Sequence, residues 1–115
     1  MAYDSNNVFA LILRGEIPTN KIYEDDYCIA FPDLHPKAPT HVLVIPKGAY
    51  TDFSDFSAHA SAEEVAGFFK AVGNVAKQLG LPEKGYRLVM NIGRDGGQEV
   101  PHLHVHILGG KKLPV

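Results

Sequence analysis

The strongest constraint in this chain is a run near its C-terminus, Pro101-His102-Leu103-His104-Val105-His106-Ile107-Leu108-Gly109-Gly110. Histidine alternates with an aliphatic residue at period two, which is the period of a β-strand. The pattern predicts His102, His104 and His106 on one face, with Leu103, Val105 and Ile107 turned into a core. Same-face neighbours on such a strand stand about 7 Å apart. Polar residues at every second position add nothing to the packing of an apolar strand, and histidine is uncommon there. Three imidazoles so arranged mark a site.

The rest of the chain limits what that site can serve. A length of 115 residues suits one domain, 1–115, with a core of its own. The formal net charge of −2 argues against a general nucleic-acid binder, so any phosphate bound here must be held by placed donors. The one cysteine, Cys28, cannot form an intramolecular disulfide and sits in the apolar run Tyr27-Cys28-Ile29-Ala30-Phe31. It reads as a small buried hydrophobe, which fits a reducing compartment. The start Met1-Ala2-Tyr3-Asp4-Ser5-Asn6-Asn7 lacks the features of a signal peptide, and no apolar run approaches the ~20 residues that span a bilayer. The expectation is a cytoplasmic protein that binds neither nucleic acid nor membrane.

Along the chain, Asp4-Ser5-Asn6 offers caps for a short helix carrying Val8, Phe9, Leu11, Ile12 and Leu13, with Gly15 as its stop. Strands follow over 21–24 and 27–31 around an Asp25-Asp26 turn, and another over 41–46 after a Pro-rich loop. Residues 51–57 lack a clear period and read as loop. Ser61 with Glu64 matches a capping box, and the apolar positions from Val65 to Leu79 fall at helical spacing until Gly80 and Pro82. A strand over 86–92 and a Gly-rich turn lead into the histidine run. These elements predict an α+β fold, a mostly antiparallel sheet with one long and one short helix.

Three chemistries compete for the histidines. Strand-borne His-x-His pairs bind zinc, and His106 or His41 could supply a third ligand, although no cysteine lies nearby and Asp95 and Glu99 sit at no telling spacing. A neutral imidazole can instead attack phosphorus, provided an acceptor holds its other ring nitrogen protonated, while neighbouring imidazoles donate to phosphate oxygens or to a leaving group. The third reading is a module that binds an anion and turns nothing over. Gly96-Gly97 upstream allows backbone N–H groups to converge on a phosphate, and Asn91 stands at the end of the preceding strand.

The run His102-Leu103-His104-Val105-His106-Ile107-Leu108 resembles the signature of the histidine triad (HIT) superfamily, three histidines separated by apolar residues. Further stretches are similar to its HINT branch, the purine nucleoside phosphoramidases. They are Gly15-Glu16-Ile17-Pro18, Tyr23-Glu24-Asp25-Asp26, Ala38-Pro39-Thr40-His41-Val42-Leu43-Val44-Ile45-Pro46-Lys47, Gly85-Tyr86-Arg87 and Asp95-Gly96-Gly97-Gln98. The match is colinear over nearly the whole chain. It implies a HIT-like fold, a homodimer with a continuous sheet, and hydrolysis of the P–N bond in adenosine or guanosine 5′-phosphoramidates without metal or cofactor.

By that resemblance His104 is the nucleophile and forms a nucleotidyl-histidine. His106 contacts phosphate and leaving group, and His102 with His41 completes a hydrogen-bonded relay. Asn91, Gly97, Glu99 and Val100 fall at phosphate-contacting positions, and Asp33 accepts from the ribose hydroxyls. Val8, Phe9, Ile12, Phe31 and Leu34 wall the purine. The bare residues would otherwise make the apolar ones plain core and Asp33 a turn cap. His35 and His59 match nothing and read as surface histidines. Glu99 departs from the serine of several relatives, and its carboxylate repels phosphate unless it turns away and its backbone makes the contact. Pro32 replaces a common histidine, and the tail after Gly110 is short. The sister activity is a dinucleoside polyphosphate hydrolase, and the non-enzymatic alternative is a nucleotide-binding adaptor.

Overall fold

Residues 28–32 and 40–46 are buried almost continuously, because the strands they form are covered on both faces. A computed structural model describes residues 2–115. In order these form α1 (Val8–Leu13), β1 (Tyr23–Glu24), β2 (Cys28–Pro32), β3 (Thr40–Pro46), α2 (Phe53–His59), α3 (Ala62–Gln78), β4 (Arg87–Val89) and β5 (Val105–Gly109). The sheet runs β1-β2-β3-β5-β4, and every pairing is antiparallel. The α+β fold with an antiparallel sheet is as the sequence implies. Among the described residues no helix is long and apolar enough to cross a membrane.

Alternation divides the buried side chains between the two faces. Cys28, Ala30, Val42, Val44, Leu103, Val105 and Ile107 pack with Phe56, Phe68, Val72 and Val75. Ile29, Phe31, Leu43 and Ile45 pack on the opposite face with Phe9, supported by Ile12 and Leu13 of α1. Cys28 is wholly buried, and burial pushes its thiol up to about 12, so it acts as the small hydrophobe its sequence context suggests.

Local chemistry sets the ends of the elements. The α1 cap is Asn7, one residue later than the candidates above. Its Oδ1 accepts from the N–H groups of Phe9 (2.9 Å) and Ala10 (3.0 Å). Asp25 Oδ1 accepts from Tyr27 and Cys28 N–H and closes the β1–β2 turn. Ser61 caps α3 by accepting from Glu64 N–H at 3.0 Å. Glu64 does not return the bond, because both its carboxylate oxygens accept from Tyr50 Oη at 2.9 Å, so only half of the expected capping box forms.

Three expectations are corrected. Residues 51–57 are not loop: Asp52 caps α2 by accepting from Asp55 N–H, and the helix buries Phe56. Among the described residues there are therefore three helices rather than two. The strand expected over 86–92 holds only Arg87–Val89, paired to β5. The ladder of the histidine run begins at Val105, opposite Val44. His102 and His104 precede it, yet the alternation persists, because Leu103 stays in the core and its N–H donates to the Tyr50 carbonyl at 2.8 Å.

Phe56 is 1% exposed and meets Tyr50, Phe68 and Phe69 edge to face. Phe56→Ala is expected to cost about 3–5 kcal/mol of stability in urea unfolding, the usual range for a large core aromatic. A loss below about 1 kcal/mol would show that α2 does not belong to the core.

Candidate active site

Helix α1 crosses the sheet face opposite α3 and leaves a cleft between itself, the histidine run and the 33–39 loop. This cleft is a cavity of about 1040 Å³. Val8, Phe9, Ile12, Phe31, Asp33, Leu34, His41, Asn91, Gly97, Glu99, Val100, His104 and His106 all line it. His102 alone of the anticipated residues does not. It lies behind the wall, wholly buried, with its ring edge-on to Phe9. Sequence reasoning gave no site role to Ile17, Pro18, Thr19, Asn20, Pro32, Lys37 and Leu43, which also line the cleft. For all but Leu43, which lies within β3, the signal was proximity to the two Pro-broken segments around Pro18 and over 32–39. His35 is exposed as expected, but it too stands on the cavity wall.

The hydrogen bonds assign a tautomer to each imidazole. His104 Nδ1–H donates to the carbonyl of His102 at 2.7 Å, so Nε2 of His104 keeps its lone pair. Lys37 N–H donates to His41 Nδ1 at 3.1 Å, which leaves the His41 proton on Nε2. That Nε2–H reaches His106 Nδ1 at 2.9 Å, and the remaining proton of neutral His106 therefore sits on Nε2. Two rings 5.1 Å apart thus present opposite functions, an unprotonated nitrogen on His104 and an N–H on His106. Phe9 braces the first of them, its ring centroid 5.0 Å from that of His104.

Burial holds these rings neutral. It depresses His102 to about 4, with the charge of His104 adding to the effect and the hydrogen bond to the Pro46 carbonyl opposing it. His106 is lowered to about 4 by burial, then by His104 and His41, with Asp33 in opposition. His104 is also lowered by burial, against the His102 carbonyl bond and the charges of Asp33 and Glu99. Burial lowers His41 as well, and Asp33 opposes it.

Asp33 has two duties. Its Oδ1 accepts from His35 N–H at 2.7 Å, the turn-capping role, while Oδ2 lies 3.5 Å from His41 Nε2. Asp33, His41 and His106 bring ligand-type atoms within 4.8 Å of one another. The tautomers suit this cluster to hydrogen bonding rather than to a cation. Nε2 of His41 carries a proton, and moving that proton to Nδ1 would set it against the Lys37 N–H.

The turn before the histidines is tightly bonded. Gly97 N–H donates to Arg94 O and Gln98 N–H to Gly93 O, so of the Gly96-Gly97 pair the Gly97 amide is engaged within the turn rather than aimed at a ligand. A Cβ on Gly96 would come within 2.3 Å of the Ile92 carbonyl oxygen, which explains the glycine. Asn91 Nδ2 donates to Gly96 O at 2.8 Å, and Gln98 braces the loop through Gly93, Thr51 and Val100. Among the described residues the backbone N–H groups of Glu99 and Val100 take no protein acceptor, and both residues border the cavity. The Glu99 side chain is exposed.

A neutral imidazole poised as acceptor on His104, just before β5, beside a second poised as donor within that strand, defines a histidine-based hydrolase type of site. Residues 14–113 match the HIT domain model, and the chain belongs to the HIT family. An uncharacterised HIT-like protein of Azospirillum brasilense is 59% identical over 96% of this chain and 91% of its own length. The purine nucleoside phosphoramidase of Escherichia coli K12 is 45% identical over 92% of this chain and 88% of its own. Among solved structures, a HIT family hydrolase from Clostridium thermocellum superposes with a TM-score of 0.88 at 41% identity, covering 97% of this chain and 96% of that one. The HIT-like fold expected from the histidine run is the fold observed.

The depressed histidines make stability depend on pH. In the unfolded chain histidines protonate near pH 6.5, whereas folded His102 and His106 do so only at about 4. Between those values the unfolded state binds more protons, so stability is full above the unfolded value and falls as the pH drops through this window. Thermal unfolding is expected to give a Tm that is level above about pH 7 and declines below about 6.5. A level Tm down to about pH 4.5 would mean that these rings titrate freely in the fold.

Proposed function

We propose that this protein hydrolyses the P–N bond of purine nucleoside 5′-phosphoramidates, releasing a nucleoside monophosphate and an amine. The observation that carries the reading is the pair of tautomers, an acceptor Nε2 on His104 beside a donor Nε2–H on His106. In the first step His104 Nε2 forms a bond to phosphorus as the P–N bond breaks, and the leaving nitrogen, held by the His106 Nε2–H, departs as the amine with a proton from water. The positive charge that develops on His104 is stabilised through Nδ1–H on the His102 carbonyl. Water then attacks the nucleotidyl-histidine, its released proton passes to solvent and balances the one the amine took, and His104 Nε2 regains its lone pair.

The lining of the cleft supports the remaining assignments. Val8, Phe9, Ile12, Phe31 and Leu34 form an apolar wall suited to a purine, and Asp33 Oδ2 suits a vicinal diol. The unengaged N–H groups of Glu99 and Val100 supply phosphate donors, so the Glu99 carboxylate can stay in solvent. In this reading residues 1–115 act as one domain in the cytoplasm, and no metal or cofactor takes part.

The reading includes a homodimer. β4 is an edge strand, and its Leu88 is 47% exposed on the face shared with its partner Ile107 and hence with α3. Tyr86 and Ile92 on either side are also exposed. A large apolar residue on an uncovered edge is the kind of surface that a second chain covers.

Two measurements test these statements. With an adenosine 5′-phosphoramidate bearing a fluorescent amine, the wild type is expected to turn over and His104→Ala to lose at least about a thousandfold while still binding AMP. Binding without turnover in the wild type would favour an adaptor or a dinucleoside polyphosphate substrate. Light scattering after size exclusion is expected to give a dimer that Leu88→Glu dissociates. A wild-type monomer at micromolar concentration would remove the dimer from the reading.

A further inference from the structure

Tyr3 lies outside the cavity, and no step above uses it. Its hydroxyl donates to His102 Nδ1, and it accepts from Asn7 Nδ2 at 2.9 Å. Its ring stands edge-on to the His102 imidazole with centroids 5.7 Å apart. The other nitrogen of His102 donates to the Pro46 carbonyl at 2.9 Å. Both nitrogens of a wholly buried ring are therefore engaged, and the ring cannot turn or change tautomer without breaking two hydrogen bonds.

The same residue's backbone carbonyl receives the Nδ1–H of His104. Asn7, meanwhile, caps α1 through Oδ1, and α1 carries the Phe9 ring that packs on His104. One hydroxyl thus joins the two elements that aim the proposed nucleophile, the segment holding its hydrogen-bond acceptor and the helix holding its aromatic brace. We propose that Tyr3 is a positioning residue, whose hydroxyl with Asn7 fixes the orientation and tautomer of His102 and, through the His102 carbonyl, the aim of His104.

Tyr3→Phe isolates the effect, because it keeps the ring and removes only the hydroxyl. It strands His102 Nδ1 as a buried acceptor, while Asn7 keeps its cap and its second bond, Nδ2 to the Asp4 carbonyl at 2.7 Å. The base wall should therefore stay in place. The kinetic consequence rests on the proposed reaction; the structural consequence does not.

The test is nitrogen-15 NMR of the histidine rings in the intact protein, run beside phosphoramidate kinetics. The wild type is expected to show His102 protonated at Nε2 and His104 at Nδ1. In Tyr3→Phe the His102 Nδ1 resonance is expected to shift, and the His104 Nδ1–H to shift or broaden. kcat is expected to fall about tenfold with KM changed less than about twofold. Unchanged His104 resonances in a folded Tyr3→Phe protein would overturn the proposal, whatever the activity. Should Tyr3→Phe fail to fold, Asn7→Ser retains a capping oxygen and removes the donor to Tyr3. It is expected to move the same resonances by a smaller amount, and no movement there would also overturn the proposal. If the wild type cleaves no phosphoramidate, the resonances still decide the role of Tyr3, and only the reaction is lost.

Discussion

The hydrogen bond from His104 Nδ1 to the His102 carbonyl, 2.7 Å long, lies between two buried residues. An imidazole taken out of water needs its N–H satisfied, and a backbone carbonyl does this without adding a charge. The bond also decides which nitrogen of His104 stays basic. Its acceptor is held in turn by the His102 side chain, which reaches the Pro46 carbonyl beyond the point where the β3–β5 ladder stops. Among the described residues no buried side-chain polar atom lacks a partner. The polar cluster is therefore consistent with the packed core around it, and its neutrality is what makes that possible.

The sheet supports this by being covered on both faces. α3 packs one side with a conventional apolar core, and α1 covers the other only partly, leaving the cleft. Phe9 belongs to both the core and the site, packing on Phe31 as it packs on His104. Of the apolar wall proposed for the base, Phe9 and Phe31 are buried members of the second core and Ile12 packs against it.

Much of the site could be read from the chain because its periodicity survives folding. Leu103, Val105 and Ile107 point inward even where no ladder bonds form, since a core position selects an apolar side chain whether or not the backbone is paired. Phe9 and Phe31 could equally have been plain core, and only the resemblance separated the two roles. What stayed hidden had physical reasons. α2 has seven residues and a single fully buried one, too few to set up a helical period. The Tyr3–His102 bond spans 99 positions and repeats nothing along the sequence. The amide of Lys37, which sets the tautomer of His41, belongs to a backbone atom that no residue type advertises.

Gly110 closes the histidine run at φ +90°, and a Cβ there would stand 2.9 Å from Pro39 Cβ and 3.3 Å from the Thr40 nitrogen. Pro39 and Thr40 lie between Lys37 and His41, the donor and acceptor of the bond that orients the second imidazole. The C-terminal segment is thereby mechanically insulated at one residue. Lys111 and Lys112 beyond it are exposed and can vary in size and charge without pressing on that loop. A single methyl group at Gly110 would transmit force straight into it. Side-chain bulk is therefore accommodated at the exposed Lys111 and Lys112, and Gly110 is the boundary at which it has to stop.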